Sequence, residues 1–90
     1  MLTAAERKAL KAKAHKLDPV VQIGAKGLTE EVSVEIDRAL KAHELIKVRA
    51  GAMERDARDG AFETICRRLE AHGVQQVGKV FVLYRKNADE

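Results

Sequence analysis

Val20 to Val32, VVQIGAKGLTEEV, is the stretch on which the reading of this chain turns. Val20-Val21-Gln22-Ile23 is a short apolar run and reads as a mostly buried strand. Thr29 is an N-cap residue, and Glu30 and Glu31 suit the positive end of a helix, so a helix opens there. Between the two lies Gly24-Ala25-Lys26-Gly27, a loop stripped of side chains at both ends. A strand passing into a helix through so bare a loop indicates an α/β domain and raises the question of what approaches the loop.

Upstream, Thr3-Ala4-Ala5-Glu6 fits a capping box, in which Thr and Glu satisfy free backbone N–H groups reciprocally. A first helix is expected to run to about Lys16 and to stop before Pro19, which disfavours helical geometry at Asp18. At about 100° per residue, Arg7, Lys8, Lys11 and His15 share one stripe, with Leu10, Ala14 and Leu17 on a neighbouring apolar one.

Downstream, Val32, Ile36, Ala39, Leu40 and His43 fall on one face of the second helix. In the strand ELIKVRA, Ile46, Val48 and Ala50 point one way and Leu45, Lys47 and Arg49 the other. A third helix follows the charged run to Asp59, with Phe62, Ile65, Cys66 and Leu69 on its buried face and Gly73 as its expected stop. Val74–Val77 and Val80–Tyr84 read as strands joined by Gly78-Lys79, a pair that suits a type II′ hairpin. The order is therefore α-β-α-β-α-β-β. The expected fold is a single α/β domain of α+β-like two-layer form, residues 1–90 with a core over about 3–86. Its helices pack on a mixed four-stranded sheet.

Ninety residues, 46% hydrophobic and 34% charged, suit one small globular domain. Aromatic residues are only 3% of the chain, too few for a surface that reads bases by stacking. The net charge is +3, unevenly spread. Residues 1–28 carry six basic and two acidic side chains, 29–71 carry eight and ten, and 72–90 carry three and two. Positive charge thus gathers around the glycine loop, as it would to meet a polyanion or to be solvated.

Cys66 is alone and there is no signal-peptide pattern or membrane-length apolar run, so a cytoplasmic protein is expected. His15, His43, His72 and Cys66 lack metal-ligand spacing; no catalytic group, metal or cofactor is expected. The loop is no phosphate cradle of the P-loop kind, because Leu28 follows Gly27 where the motif G-x-x-x-x-G-K-[ST] needs Lys. KH domains also clamp nucleic-acid backbone with a G-x-x-G loop, but theirs joins two helices. A tight turn and an anion-holding loop both fit the spacing. Lys79, Arg85 and Lys86, at the ends of the last strand, fit either a phosphate-contacting surface or a solubilised sheet edge.

LDPVVQIGAKGLTEEV, AHELIKVR and VGKVFVLYRK resemble, in order and spacing, the CRM domain (chloroplast RNA splicing and ribosome maturation), and most of all its single-domain bacterial YhbY-type form. The likeness runs from about Thr3 to Lys86. It implies a fold similar to the C-terminal domain of translation initiation factor 3. It also implies RNA binding through Gly24, Ala25, Lys26 and Gly27 with Arg7, Lys8, Lys11 and Lys16. The partner it implies is precursor large-subunit ribosomal RNA in the pre-50S particle. Beside it, a monomer with no membrane partner is expected. Some relatives end in a longer basic extension; this chain closes with Asn87-Ala88-Asp89-Glu90, and a tail contribution to affinity is not expected. The alternative is a protein-interaction module docking on a ribosomal protein or factor.

Overall fold

A computed structural model describes residues 2–87, so Ala88, Asp89 and Glu90 of the closing tail lie outside the described residues. Seven elements follow one another: α1 (Ala4–Ala14), β1 (Val21–Gln22), α2 (Glu30–His43), β2 (Leu45–Arg49), α3 (Arg55–Leu69), β3 (His72–Val77) and β4 (Val80–Tyr84). The sheet order is β1-β2-β4-β3, with β1 and β2 parallel and the other pairs antiparallel. This is the expected mixed four-stranded sheet, and β4 lies inside it.

Two of the helix starts follow their caps. Thr3 Oγ1 accepts from the Glu6 N–H at 3.0 Å while a Glu6 carboxylate oxygen accepts from the Thr3 N–H at 2.8 Å. Thr29 Oγ1 accepts from the Val32 N–H at 3.2 Å. The Gly78-Lys79 turn joins Val77 to its register partner Val80. Gly78 has φ +55° and Lys79 is not left-handed, the pattern of a II′ turn rather than I′.

Strand β4 explains the layering. Phe81, Val82 and Leu83 are all buried, so successive side chains need cover on both faces. Phe81 and Leu83 join Ile36, Leu40, Ile46, Val48 and Ile65 under α2 and α3, where the Phe62 and Phe81 rings lie 5.1 Å apart. Val82 packs with Ala14 and Val74, flanked by Leu10, Leu45 and Tyr84, under α1. The expected two layers thus gain a thinner third one: α1 alone covers the second face. β4, interior to the sheet, is not an edge for Lys79, Arg85 and Lys86 to solubilise; the edges are β1 and β3.

The end of α3 differs from expectation. The helix stops at Leu69, with Glu70 left-handed at φ 54° and the Ala71 N–H donating to the Cys66 carbonyl at 3.0 Å. His72 and Gly73 belong to β3 instead. Gly73 is glycine for packing: a Cβ there would stand 2.4 Å from Phe62 Cζ and 3.1 Å from Cys66 Sγ. The register slips between Gly73 and Gln75, leaving Val74 as a bulge that turns its side chain into the α1 layer.

Candidate nucleic-acid interface

The glycine loop is anchored at both ends. Ile23 is buried, and its N–H donates to the Arg49 carbonyl at 2.8 Å. The Gly24 carbonyl then accepts from the Gly27 N–H at 3.0 Å, closing a four-residue turn, and the Gly27 carbonyl accepts from the Thr29 N–H at 3.0 Å. Gly27 sits at φ +82°, a region that glycine enters without a Cβ penalty. Two of the segment's amides are therefore spent internally. Those of Ala25, Lys26 and Leu28 donate to no protein acceptor among the described residues, nor do those of Glu30 and Glu31 in the first turn of α2.

Open space lies over part of this loop. A Cβ built on Gly24 meets nothing within 4 Å, while one on Gly27 meets only Met53 Cε, at 3.8 Å. Lys26 is exposed and has no carboxylate partner among the described residues. The helix end is less positive than its dipole alone would make it, because Glu30 and Glu31 stand in the first turn. Arg68 offsets part of this, its Nη2 lying 3.2 Å from Glu30 Oε1. The loop's attraction for an anion thus rests on bare amides and Lys26 more than on α2.

The basic residues of α1 divide. Arg7 turns inward: its Nη1 donates to the Gly73 carbonyl at 2.7 Å and the Val74 carbonyl at 3.1 Å. Both acceptors lie at the β3 bulge, Val74 and the residue before it, where the ladder is interrupted, so Arg7 supplies donors to an irregular edge. Lys8 and Lys11 stay exposed, with no carboxylate partner among the described residues. Lys16, beyond the end of α1, borders with Lys13 an apolar groove against Leu17, Val20, Leu45 and Tyr84. That groove sits where β2 begins and β4 ends, whereas the glycine loop follows the paired ends of β1 and β2. Lys16 is therefore apart from the loop with which the sequence grouped it.

Arg85 is also structural. Its Nη1 donates to Asp37 Oδ1 at 2.8 Å and to the Leu69 carbonyl at 3.0 Å, and its Nη2 to the Asp37 carbonyl at 3.2 Å. One guanidinium ties the end of β4 to α2 and to the last turn of α3. The Arg85 hydrogen bond, helped by Lys41, holds the Asp37 carboxyl below the usual carboxylate range. Cys66 is half-buried on α3, and burial pushes its thiol up, away from nucleophilic character. His43 closes α2 and is exposed, whereas His72, read from the sequence as a helix end, is a β3 residue 6.2 Å from the Tyr84 ring.

What sequence reasoning did not single out is the company the loop keeps. The Gly51–Met53 segment and the Gly78-Lys79 turn lie at the same end of the sheet. Met53 reaches Gly27, and the Ala50 N–H donates to the Lys79 carbonyl at 2.7 Å. Two signals pointed to it: the alternation of β2, which sets Arg49 on the face away from the main core, and Lys79 in the last hairpin turn.

Comparison with known proteins adds to this geometry. The family model of the CRS1 / YhbY (CRM) domain matches residues 2–85. A Pseudomonas aeruginosa protein named a probable RNA-binding protein is 42% identical over 86 residues, covering 96% of this chain and 83% of its own. A Haemophilus influenzae protein named an RNA-binding protein is 41% identical over 88 residues, covering 98% and 89%. The solution structure of a hypothetical protein from Staphylococcus aureus superposes with a TM-score of 0.85 at 34% identity, covering 99% of this chain and 93% of the other.

Proposed function

The chain belongs to the CRS1 / YhbY (CRM) domain family, and on that footing we propose that it is a non-catalytic RNA-binding protein. Its partner in this reading is precursor large-subunit ribosomal RNA within the pre-50S particle, met in the cytoplasm by a monomer. The observation that carries the reading is the open space over Gly24, beside the amides of Ala25 and Lys26 and the Lys26 side chain, which have no partner among the described residues. A phosphate of the RNA backbone sits there, approaching the main chain where a Cβ would hold it off. Lys26 neutralises it, and Lys8 and Lys11 supply further screened contacts.

Because these groups see phosphate and not base edges, binding is directed by backbone and shape. With about four to six phosphate contacts, the slope of log affinity against log salt is roughly −3 to −5. The decisive experiment is in-cell crosslinking with sequencing of the attached RNA. Reads concentrated on precursor large-subunit RNA are the expected result; a spread over unrelated transcripts removes the ribosomal claim. An association with the particle that survives nuclease treatment would favour docking on a protein instead.

A further inference from the structure

Two cationic side chains converge on a second glycine at the same end of the sheet. Arg49, the last residue of β2, pairs with Gln22 of β1 on one side and Val80 of β4 on the other. Lys79 occupies the adjoining hairpin turn, fixed to β2 by the 2.7 Å bond from the Ala50 N–H to its carbonyl. A Cβ built on Gly51 would lie 3.5 Å from Arg49 Nε, 3.9 Å from its Nη2 and 3.8 Å from Lys79 Cδ. Guanidinium and ammonium stem therefore flank one point, above a residue with no side chain. Neither cation has a carboxylate partner among the described residues, although the chain carries 14 acidic residues. Like charges gathered without a counter-charge repel each other and draw in an anion from solution.

We infer that Arg49 and Lys79, over Gly51, form a second phosphate contact, for a backbone phosphate neighbouring the one on the glycine loop. The inference rests on the RNA reading above and adds a direction to it. Gly24 lies two residues beyond Gln22, the register partner of Arg49. Two strand steps and one inter-strand spacing put Gly24 roughly 8 Å from Arg49, close enough for one nucleic-acid strand to touch both. The strand then crosses the ends of β1, β2 and β4, from the glycine loop to the hairpin turn. Arg49 offers a planar fork for two phosphate oxygens and Lys79 a point charge.

The test titrates the parent and the double variant R49Q/K79Q with a short mixed-sequence RNA oligonucleotide over a range of salt. The expected result is an affinity loss of about 10-fold near physiological salt and a salt slope shallower by roughly 0.7 to 0.9, the share of one phosphate contact. Arg67→Gln, on the exposed face of α3, is the control and leaves the slope unchanged. If the parent binds with its steep slope and the double variant matches it, the second contact is wrong and the RNA reading stands. If the parent itself shows no salt-dependent RNA binding, both fall. A readout on the parent alone guards against a misfolded variant: photocrosslinked peptides mapped by mass spectrometry. Crosslinks at 49–51 and 78–80 as well as 24–27 agree with the inference, and crosslinks confined to 24–27 overturn it.

Discussion

Gly24 lies outside the left-handed region, and a Cβ added to it meets open space. The fold therefore has no use for its missing side chain, and Gly24→Ala should leave stability within about ±0.5 kcal/mol of the parent. Gly24→Asp places a carboxylate where the proposed phosphate sits. For two unit charges about 5 Å apart, the repulsion runs from roughly 0.8 kcal/mol at the dielectric constant of water to about 3 kcal/mol at an effective value near 20. That range corresponds to a loss of roughly 4- to 150-fold in affinity. The same change at Gly27 is a poorer probe, since φ +82° adds strain of about 1–2 kcal/mol to any variant with a side chain. Fluorescence anisotropy with labelled RNA gives the affinities, and thermal melting followed by circular dichroism gives the stabilities. Gly24→Asp should melt with the parent and bind weakly, with Gly24→Ala between the two. Parental affinity in both variants would refute a phosphate at this position and leave the loop as a connecting turn.

Arg85→Met should cost about 3 kcal/mol, since three charge-assisted contacts are lost and the Leu69 carbonyl at the end of α3 loses this donor. For a domain of this size that lowers the melting temperature by roughly 12–24 °C, while RNA affinity measured below the transition stays close to the parent's. A lysine at the same position should not restore stability, because it lacks the fork that spans α2 and α3. The linked acid dependence has a definite sign. Asp37 is held below its ordinary value of 3.8, so its contribution is complete above that value and fades as pH falls through the lowered one. Asp37→Asn should remove this part of the acid transition; an unchanged acid profile would contradict the pairing. Gly73→Ala forces a Cβ against the Phe62 ring and should cost about 1–3 kcal/mol. Adding Phe62→Leu should recover part of that loss, and a double variant no better than the sum of the two single ones would show that the ring is not the obstacle.

Much of the fold was legible because its signals are local. VFVLY, apolar at every position, could only be a strand covered on both faces, and its bounds are those expected. Thr3 and Thr29 marked two helix starts by caps that reach three residues along the chain. The helix ends were harder to read, because the residues that take positive φ there are Glu44 and Glu70 rather than glycines. Glu44 is held in that conformation by distant chain: its carbonyl accepts from the Arg85 N–H at 2.9 Å and its carboxylate from the Asn87 N–H at 3.0 Å. The stripe on α1 could not separate Arg7 from Lys8 and Lys11. The acceptors of Arg7 lie 66 and 67 residues away, in a bulge that no local pattern announces. Arg85 raised the same difficulty. A basic residue in a sequence is one symbol for two roles, a solvated cation or a clamp on carbonyls.

The glycines show how the two roles can be told apart once geometry is known. Gly27 and Gly78 are required by their positive φ, and Gly73 by the ring pressed against it. For none of these is an external ligand needed as an explanation. Gly24 is different: no φ requires glycine and no neighbour would be displaced by a Cβ. At Gly51 the atoms nearest an added Cβ are in the flexible side chains of Arg49 and Lys79, at ordinary contact distance. Gly60, inside α3, likewise meets nothing, and the structure does not explain it. Gly24 and Gly51, unlike Gly60, stand at one end of the sheet beside exposed cations that lack acidic partners among the described residues. Bare backbone that the fold does not require, next to charge that the fold does not neutralise, is what a phosphate backbone needs in order to come close. Neither the G-x-x-G spacing nor the basic count carries that argument alone; it needs the two features at the same place.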